Sequence, residues 1–243
     1  MKISINAMQK LSKIKNSAYE AIKIEYLYHS NKLEGSTFSK ENLIDLLELK
    51  QVKGEHFVDD IIETKNSLEL FDNVIETLDQ PFNKNLLWNW HRILKKGSVD
   101  DEIGNIGKWK QYENRLSKTD LKLCEPYLVE SKMFNLLEDW KESNKDIYAI
   151  AEFHQQFEHI HPFQDGNGRV GRFIILRQCI ENNVELIAID DEYNQEYRDS
   201  LYIAQTKNNV EPLVQVFIKC QKRLDEKLVE YSSLINQVSN EVD

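Results

Sequence analysis

The sequence is poor in the residues that interrupt helices and in those that cross-link small folds. Its 243 residues include only eight glycines, four prolines and three cysteines. Few glycines and prolines leave few points at which a regular element must end, so long helices are favoured over many short strands. Cys124, Cys179 and Cys220 lie far apart without CxxC spacing. We therefore expect free thiols in a reducing compartment rather than a disulfide framework.

An excess of positive charge and a long apolar run are also missing. The formal net charge is −10, which argues against broad electrostatic contact with nucleic acid or an anionic membrane. The longest apolar run, around residues 173–176, is far too short to span a bilayer, and the first residues lack the apolar stretch of a secretory signal. We expect a cytoplasmic protein with no direct nucleic-acid or membrane contacts, in which a local cluster of donors holds any phosphate ligand.

Apolar residues at helical spacing predict a chain built almost wholly of helices. One helix is predicted for residues 3–33, with Gly35 as its C-terminal cap. Further helices are predicted around residues 43–47, 58–78, 86–94, 133–140, 148–160, 169–180 and after Pro212. Between Gly97 and Pro126 the helical periodicity is lost, and we expect a functional loop with a short hairpin there.

Residues 161–172, HPFQDGNGRVGR, differ from the rest of the chain. Glycine and asparagine tolerate positive φ, so the backbone N–H groups of residues 166–168 can form an anion nest before a helix that begins near Arg169. Arg169 and Arg172 are neighbours on one helix face, and their forked donors suit phosphate oxygens. The pattern indicates a phosphate-binding site.

The same segment supplies a base and a cation ligand. His161 can act as a general base near neutral pH, and Asp165 can hold Mg²⁺ shared with phosphates. These groups together predict a phosphate-transfer site. A metal-dependent hydrolase built on His154, His159 and His161 is the less favoured alternative, because no second carboxylate–histidine pair lies at ligand spacing such as HExxH.

Residues 161–172 are similar to the signature of the Fic family, His-x-Phe-x-(Asp/Glu)-Gly-Asn-Gly-Arg-x-x-Arg, at every defined position. Phe153 and His154 resemble the helix that leads into this signature, and residues 107–110, GKWK, resemble the approach to the family's flap. The likeness covers about residues 85–217. It implies an all-α, Fic-type helical bundle with a short β-hairpin flap.

The resemblance implies a protein adenylyltransferase that moves AMP from ATP to a serine, threonine or tyrosine hydroxyl of a target protein or of itself. His161 would deprotonate that hydroxyl, and Asp165 would bind Mg²⁺ between the α- and β-phosphates. Arg172 would hold the γ-phosphate. The α- and β-phosphates would be held by Gly166, Asn167, Gly168 and Arg169.

Further roles follow from the same resemblance. Family members that phosphorylate carry lysine at the position of Gly168, so glycine favours AMP transfer. A homodimer is also expected from the family. The region that contacts adenosine would include Tyr197, Arg198 and Gln205. The flap, which would position the target chain by strand addition, would include Leu116, Ser117 and Lys118.

Residues 30–35, SNKLEG, resemble the family's inhibitory motif, (Ser/Thr)-x-x-x-Glu-(Gly/Asn). Ser30 and Glu34 share a helix face, and Gly35 ends the helix. A carboxylate at that tip could pair with Arg172 and take the place of the γ-phosphate. The motif precedes the core, as in the family's second inhibition class, so we expect an N-terminal helical region over residues 1–50 and a Fic core with a C-terminal helix over residues 51–243.

Two other functions use the same residues. Glu34 could orient a water molecule that removes AMP from a modified protein, so the site would act as a de-AMPylating hydrolase. Alternatively, the chain could be a nucleotide-sensing module without turnover. The intact His161 and Asp165 argue against that module, because a binder needs the anion nest but not the base.

Overall fold

The protein is described by a computed structural model that covers residues 1–115, 120–231, 233, 235 and 238. Within these residues the chain forms eleven α-helices and no strand, which confirms the all-α prediction. The helices are α1 (Ile5–Leu11), α2 (Ala18–Leu33), α3 (Lys40–Glu48), α4 (Val58–Glu76), α5 (Lys84–Lys95), α6 (Val99–Glu102), α7 (Val129–Glu142), α8 (Ile147–Ile160), α9 (Asn167–Glu181), α10 (Asn194–Lys207) and α11 (Glu211–Lys227). Short 3₁₀ helices lie at Pro126–Leu128, Asp191–Tyr193 and Val229–Tyr231.

Helix α9 lies at the centre of the fold. Its residues from Arg169 to Ile180 are all buried, as expected of a helix surrounded by other elements. It packs against α2, α4 and α5 on the N-terminal side of the sequence and against α8, which in turn contacts α7, α10 and α11. The first turn of α9 is therefore within reach of side chains from distant parts of the chain.

The single helix predicted for residues 3–33 is wrong, because the structure contains two helices there. Ser17 is the N-cap of α2: its Oγ accepts the Tyr19 N–H at 3.2 Å and donates to the Leu11 carbonyl at 2.9 Å. Asn16 adopts a φ of +55°. Serine and asparagine bond nearby backbone groups in non-helical conformations, and here they override the apolar periodicity.

Helix α2 ends where the sequence predicted. Leu33 is its last residue, and Gly35 follows at a φ of +88°, a left-handed conformation that favours glycine. Tyr26 fixes the helix against its neighbours, with ring centroids 5.7 Å from Phe71 on α4 and 5.6 Å from Phe173 on α9. This packing holds the end of α2 beside the beginning of α9.

Part of the predicted hairpin flap lies outside the residues that the structure describes. Leu116, Ser117 and Lys118 lie outside the described residues. Residues 103–115 and 120–125 contain turns, bends and coil, with no strand among them. The hairpin and its contacts stay predictions.

The N-terminal helices share one buried core with the rest of the chain, which extends from Ile3 to Val238. The boundary near residue 50 therefore stays a prediction about organisation. None of the helices in the described residues combines the length and the apolar character that a membrane crossing requires.

Candidate active site

The loop of residues 161–166 joins α8 to α9. His161 caps the end of α8 in a left-handed conformation, with φ +50°, and its N–H donates to the Phe157 carbonyl at 2.8 Å. Gly166, with φ +77°, is the N-cap of α9. The helix begins at Asn167, two residues before the predicted start, so Arg169 lies in its first turn and Arg172 in the second.

The loop is closed from within by Asn167. Its Nδ2 donates to the Phe163 carbonyl at 2.9 Å, and its Oδ1 accepts the Phe163 N–H at 2.8 Å. The Phe163 ring is fully buried and anchors the loop in the core. Because the Asn167 side chain is used inside the loop, only its backbone N–H is left for an anion nest.

His91 on α5 supports the loop from below. Its ring is stacked on Phe163 at a centroid distance of 4.1 Å. Its Nε2 donates to the Asp165 carbonyl at 3.0 Å, and its Nδ1 accepts the Gly107 N–H at 3.0 Å. Burial lowers the pKa of His91 to about 4, so the ring is neutral and can both donate and accept.

A His91→Phe variant is expected to lose about 2 kcal/mol of unfolding free energy, because stacking on Phe163 is kept while two backbone groups lose their partners. Chemical denaturation would measure the loss. His56→Phe is the matched control, since His56 also stacks on a phenylalanine, Phe38, but its hydrogen bonds are exposed. An equal loss in both variants would contradict a support role for His91.

His161 is neutral at physiological pH. Burial and the nearby Lys110 ammonium lower its pKa to about 4. Its Nδ1 lies 3.9 Å from Glu158 Oε2 and has no hydrogen-bond partner among the described residues. The side chain is 16% exposed, so a reactant can approach the ring. Because the ring is neutral, it can accept a proton.

Two segments bracket the His161 loop. The Lys110 N–H donates to the Pro162 carbonyl at 2.7 Å, and its Nζ donates to the Ile160 carbonyl at 3.2 Å. In addition, the Cys124 N–H donates to the His159 carbonyl at 3.2 Å. The chain between Lys110 and Cys124, which includes the predicted flap, therefore starts and ends beside His161.

Arg172 is buried and held by the end of α2. Its Nε donates to Ser30 Oγ at 2.9 Å, and its Nη2 donates to the Ser30 carbonyl at 3.0 Å and to Glu34 Oε1 at 2.6 Å. Burial opposes ionisation of both groups, yet the ion pair lowers the pKa of Glu34 and raises the pKa of Arg172. The structure thus brings the two predicted inhibitory residues onto the predicted phosphate arginine.

Glu34 also lies against the first turn of α9. A β-carbon on Gly168 would overlap Glu34 Oε1 and come within 3.1 Å of Arg172 Nη1. The first N–H groups of a helix lack partners inside the helix and attract anions. The Glu34 carboxylate therefore lies beside the positive end of α9.

A buried polar network lies behind Arg172. Tyr197 Oη is 2.7 Å from His154 Nε2, and burial lowers the pKa of His154 to about 3. Burial raises the pKa of Glu158 to about 8, and its Oε1 has no hydrogen-bond partner among the described residues. Tyr197 is only 5% exposed. The structure places this predicted adenosine contact in the network, on the inner side of Arg172.

Asp165 belongs to a charged cluster at the loop's outer end. Its side chain is 57% exposed, and Oδ2 contacts Lys95 and lies 3.8 Å from Arg169 Nη2. Burial of the carboxylate opposes its ionisation, but Lys95 and Arg169 bring the pKa of Asp165 down to about 2. Lys95 also contacts Glu63 and Asp100, and the three carboxylates lie within 4.8 Å of one another.

The other two predicted adenosine contacts lie apart from each other. Arg198 donates to the Leu33 carbonyl at 3.2 Å, at the end of α2. Gln205 lines a cavity of about 540 Å³ together with Cys124, His159 and Ile160. Of these two residues, Gln205 is the one that faces open space beside the His161 loop.

The sequence interpretation missed four residues that shape the site. His91 is an isolated histidine in the sequence, and the spacing of Glu158, three residues before His161, carries no recognisable signal. Glu63 and Lys95 lie on α4 and α5, far in sequence from the residues that they contact. Their role can be recognised only when the packing of those helices on α9 is known.

Comparison with known proteins finds relatives in one family. The sequence model of the Fic/DOC family matches residues 81–179. Protein adenylyltransferase Fic of Aedes aegypti is 25% identical over 213 residues, which is 82% of this chain and 40% of that protein. A probable protein adenylyltransferase of Aquifex aeolicus is 31% identical over 116 residues, 46% of this chain and 33% of that protein. The chain thus spans less than half the length of the curated relatives it matches.

Solved structures share the fold. The structure of a Fic domain containing signalling protein from Bacteroides thetaiotaomicron gives a TM-score of 0.72 at 21% identity. The match covers 96% of this chain and 94% of that protein's chain. The Fic-1 protein of C. elegans gives a TM-score of 0.72 at 17% identity. The match covers 93% of this chain and 70% of that protein's chain. At these identities the likeness establishes the helical architecture, including the N-terminal helices.

Proposed function

Since this chain carries a domain of the Fic/DOC family over residues 81–179, we propose that it is an adenylyltransferase that moves AMP from ATP to a hydroxyl group of a protein. The relatives from Aedes aegypti and Culex quinquefasciatus are named protein adenylyltransferases. One observation carries the proposal: a neutral His161, an ionised Asp165 and two buried arginines meet at the N-terminus of α9.

His161 is the general base. Its neutral ring accepts the proton of a serine, threonine or tyrosine hydroxyl, and the oxygen forms a bond to the α-phosphorus of ATP. The bond between the α-phosphorus and the α,β-bridging oxygen breaks, and pyrophosphate leaves. The proton stays on His161 until solvent or the leaving group takes it. His161 is the C-cap of α8 in a left-handed conformation and begins the loop that leads to the α9 N-terminus.

The phosphates are held by the first turns of α9. The backbone N–H groups of residues 166–168 face the α- and β-phosphates together with Arg169, and Arg172 takes the γ-phosphate. Asp165 fits a magnesium ion, because its carboxylate is ionised and more than half exposed. When bound, this ion supplies positive charge that neutralises the phosphates.

The adenosine lies toward Gln205. The cavity of about 540 Å³ beside His159 and Ile160 is lined by amide side chains, including Gln155 and Gln205. Tyr197 and Arg198 contribute indirectly, through His154 and through the end of α2. The target chain approaches along the flap, with Leu116, Ser117 and Lys118 as its contact residues.

Glu34 restrains the reaction. Its carboxylate binds Arg172 and fills the space above Gly168. A γ-phosphate can reach Arg172 only after this contact breaks, and ATP that binds beside it has a displaced α-phosphate. The protein is therefore proposed to be an autoinhibited adenylyltransferase.

The proposal is tested by comparing α-labelled and γ-labelled ATP, with Mg²⁺, in the Glu34→Gly variant. The α-label is expected on protein, the γ-label is not, and the Glu34→Gly/His161→Ala double variant is expected to lose the α-label while it still binds ATP. Removal of the base alone costs roughly 10²–10⁴-fold in rate. The assay should include a lysate as a source of targets beside the chain itself.

Other outcomes would reject the proposal in different ways. Transfer of the γ-label would mean phosphorylation. ATP binding without any label would indicate a nucleotide-sensing module, and release of AMP from a pre-modified protein by the wild-type chain alone would indicate a de-AMPylating hydrolase. Labelling that survives His161→Ala would remove His161 from the chemistry.

A further inference from the structure

Glu63 on α4 joins two cationic side chains of the site. Its Oε1 contacts Lys95 Nζ and its Oε2 contacts Arg169 Nη1, and all three side chains are at least 85% buried. Glu63 lies outside the inhibitory motif and outside the residues that match the family signature. Glu63, from a second helix, thus binds Arg169, as Glu34 binds Arg172. Both arginines are proposed to hold phosphates.

The contacts of Arg169 are anionic. Glu63 binds its Nη1, and Asp165 Oδ2 lies 3.8 Å from its Nη2. Arg169 is 7% exposed, and its Nε is a buried donor without a hydrogen-bond partner among the described residues. A buried donor without a partner costs free energy, and a phosphate oxygen would satisfy it.

Space for such a ligand lies between the two glutamates. A cavity of about 230 Å³ is lined by Glu34, Glu63 and Arg169, together with Asp60 and Thr64. An incoming polyphosphate meets both carboxylates here. It can bind Arg169 with its full set of donors only if Glu63 gives up its contact.

We propose that Glu63 is a second restraining carboxylate, which competes with the nucleotide polyphosphate for Arg169. The inference rests on the proposed function, since it concerns the nucleotide site of that reaction. Two helices then hold the site closed: α2 through Glu34 and Arg172, and α4 through Glu63 and Arg169. Release of α2 alone frees the place of the γ-phosphate, and the α- and β-phosphates still compete with Glu63.

Calorimetric binding of ADP and ATP to Glu63→Gln, Glu34→Gly and wild-type chain tests this proposal. Glu63→Gln removes a close charge pair and is expected to tighten both ADP and ATP by about tenfold. Glu34→Gly is expected to tighten ATP more than ADP, because Arg172 serves the γ-phosphate. If Glu63 only positioned Arg169, Glu63→Gln would leave the binding of both nucleotides unchanged or weaken it, rather than tighten it.

Asp100→Asn is the matched control. Asp100 Oδ2 lies 2.7 Å from Lys95 Nζ, and Glu63 contacts the same ammonium, so replacing Asp100 removes the same charge from the cluster without touching Arg169. We expect it to tighten ADP less than Glu63→Gln does. Equal effects would mean that overall charge sets the affinity and would overturn the restraint. Thermal unfolding of Glu63→Gln, beside Glu69→Gln at an exposed position of the same helix, checks that the fold is retained.

The restraint and the proposed function can fail separately. Unchanged or weaker ADP binding by folded Glu63→Gln, while Glu34→Gly still transfers the α-label, would overturn the restraint and leave the function; Glu63 would then position Arg169 for phosphate. Tighter ADP and ATP binding without any transfer of label would keep Glu63 as a restraint on nucleotide binding and reject the transferase.

Discussion

Replacing Glu34 by glycine is expected to raise the rate of AMP transfer by about 10²-fold, because a reacting phosphate displaced by about 1 Å loses that much rate. In the wild-type chain Glu34 Oε1 is 2.6 Å from Arg172 Nη2 and fills the space above Gly168. Glycine removes both the charge and the bulk. Arg172 keeps its two contacts to Ser30 and so stays in place for a γ-phosphate.

The measurement is the initial rate of α-label transfer at saturating ATP, with Glu34→Gln as the matched variant. Glutamine removes the charge but keeps the bulk above Gly168, so its rate should lie between those of wild type and Glu34→Gly. A rate for Glu34→Gln equal to that of Glu34→Gly would show that charge alone restrains the site. Equal rates for wild type and Glu34→Gly would reject autoinhibition and leave the enzyme.

The helical architecture could be read from the sequence because it depends on local patterns. Apolar spacing placed α4, α5, α7 and α8 within a few residues of their bounds and the start of α11 near Pro212, and Gly35 marked the end of α2. The break between α1 and α2 was missed because a single serine cap outweighed apolar residues on both sides. Capping is also local, but a cap and the apolar periodicity here favour different helix boundaries. The sequence alone does not show which of the two determines the boundary.

The site was predictable to the extent that it is contiguous. Residues 161–172 lie in one loop and the start of one helix, so their types and spacing carry the chemistry. Glu34 could be assigned because its motif accompanies the signature. Contacts between α4, α5 and α9 depend on how whole helices pack, and no short pattern marks Glu63 or Lys95. The cytoplasmic location and the homodimer stay predictions.

Buried ionisable groups give this site an opposing pair of pH dependences. Burial lowers the pKa values of His91 and His161 to about 4 and of His154 to about 3, from 6.5. Below the unfolded pKa the unfolded chain binds protons that the folded chain refuses, so these histidines reduce stability as pH falls from about 6.5 toward 4. Glu158 acts in the opposite sense, because its folded pKa is raised.

A Glu158→Gln variant is expected to remove most of the loss of stability on the alkaline side. The folded pKa of Glu158 is about 8 against 4.5 for the free group, so the folded carboxyl keeps a proton that the unfolded one releases. Stability therefore falls as pH rises between these values, by roughly 3 kcal/mol from about pH 5 to pH 8. Glutamine resembles the protonated carboxyl in shape and does not titrate, so denaturation at pH 8 should show a gain in stability of that order and at pH 5 a small one.

Glu142→Gln, at an exposed position of α7, is the control and should show neither gain. A gain at pH 8 no larger than that at pH 5 would mean that Glu158 is ionised beside Arg172, and the network behind the site would then hold a second buried ion pair.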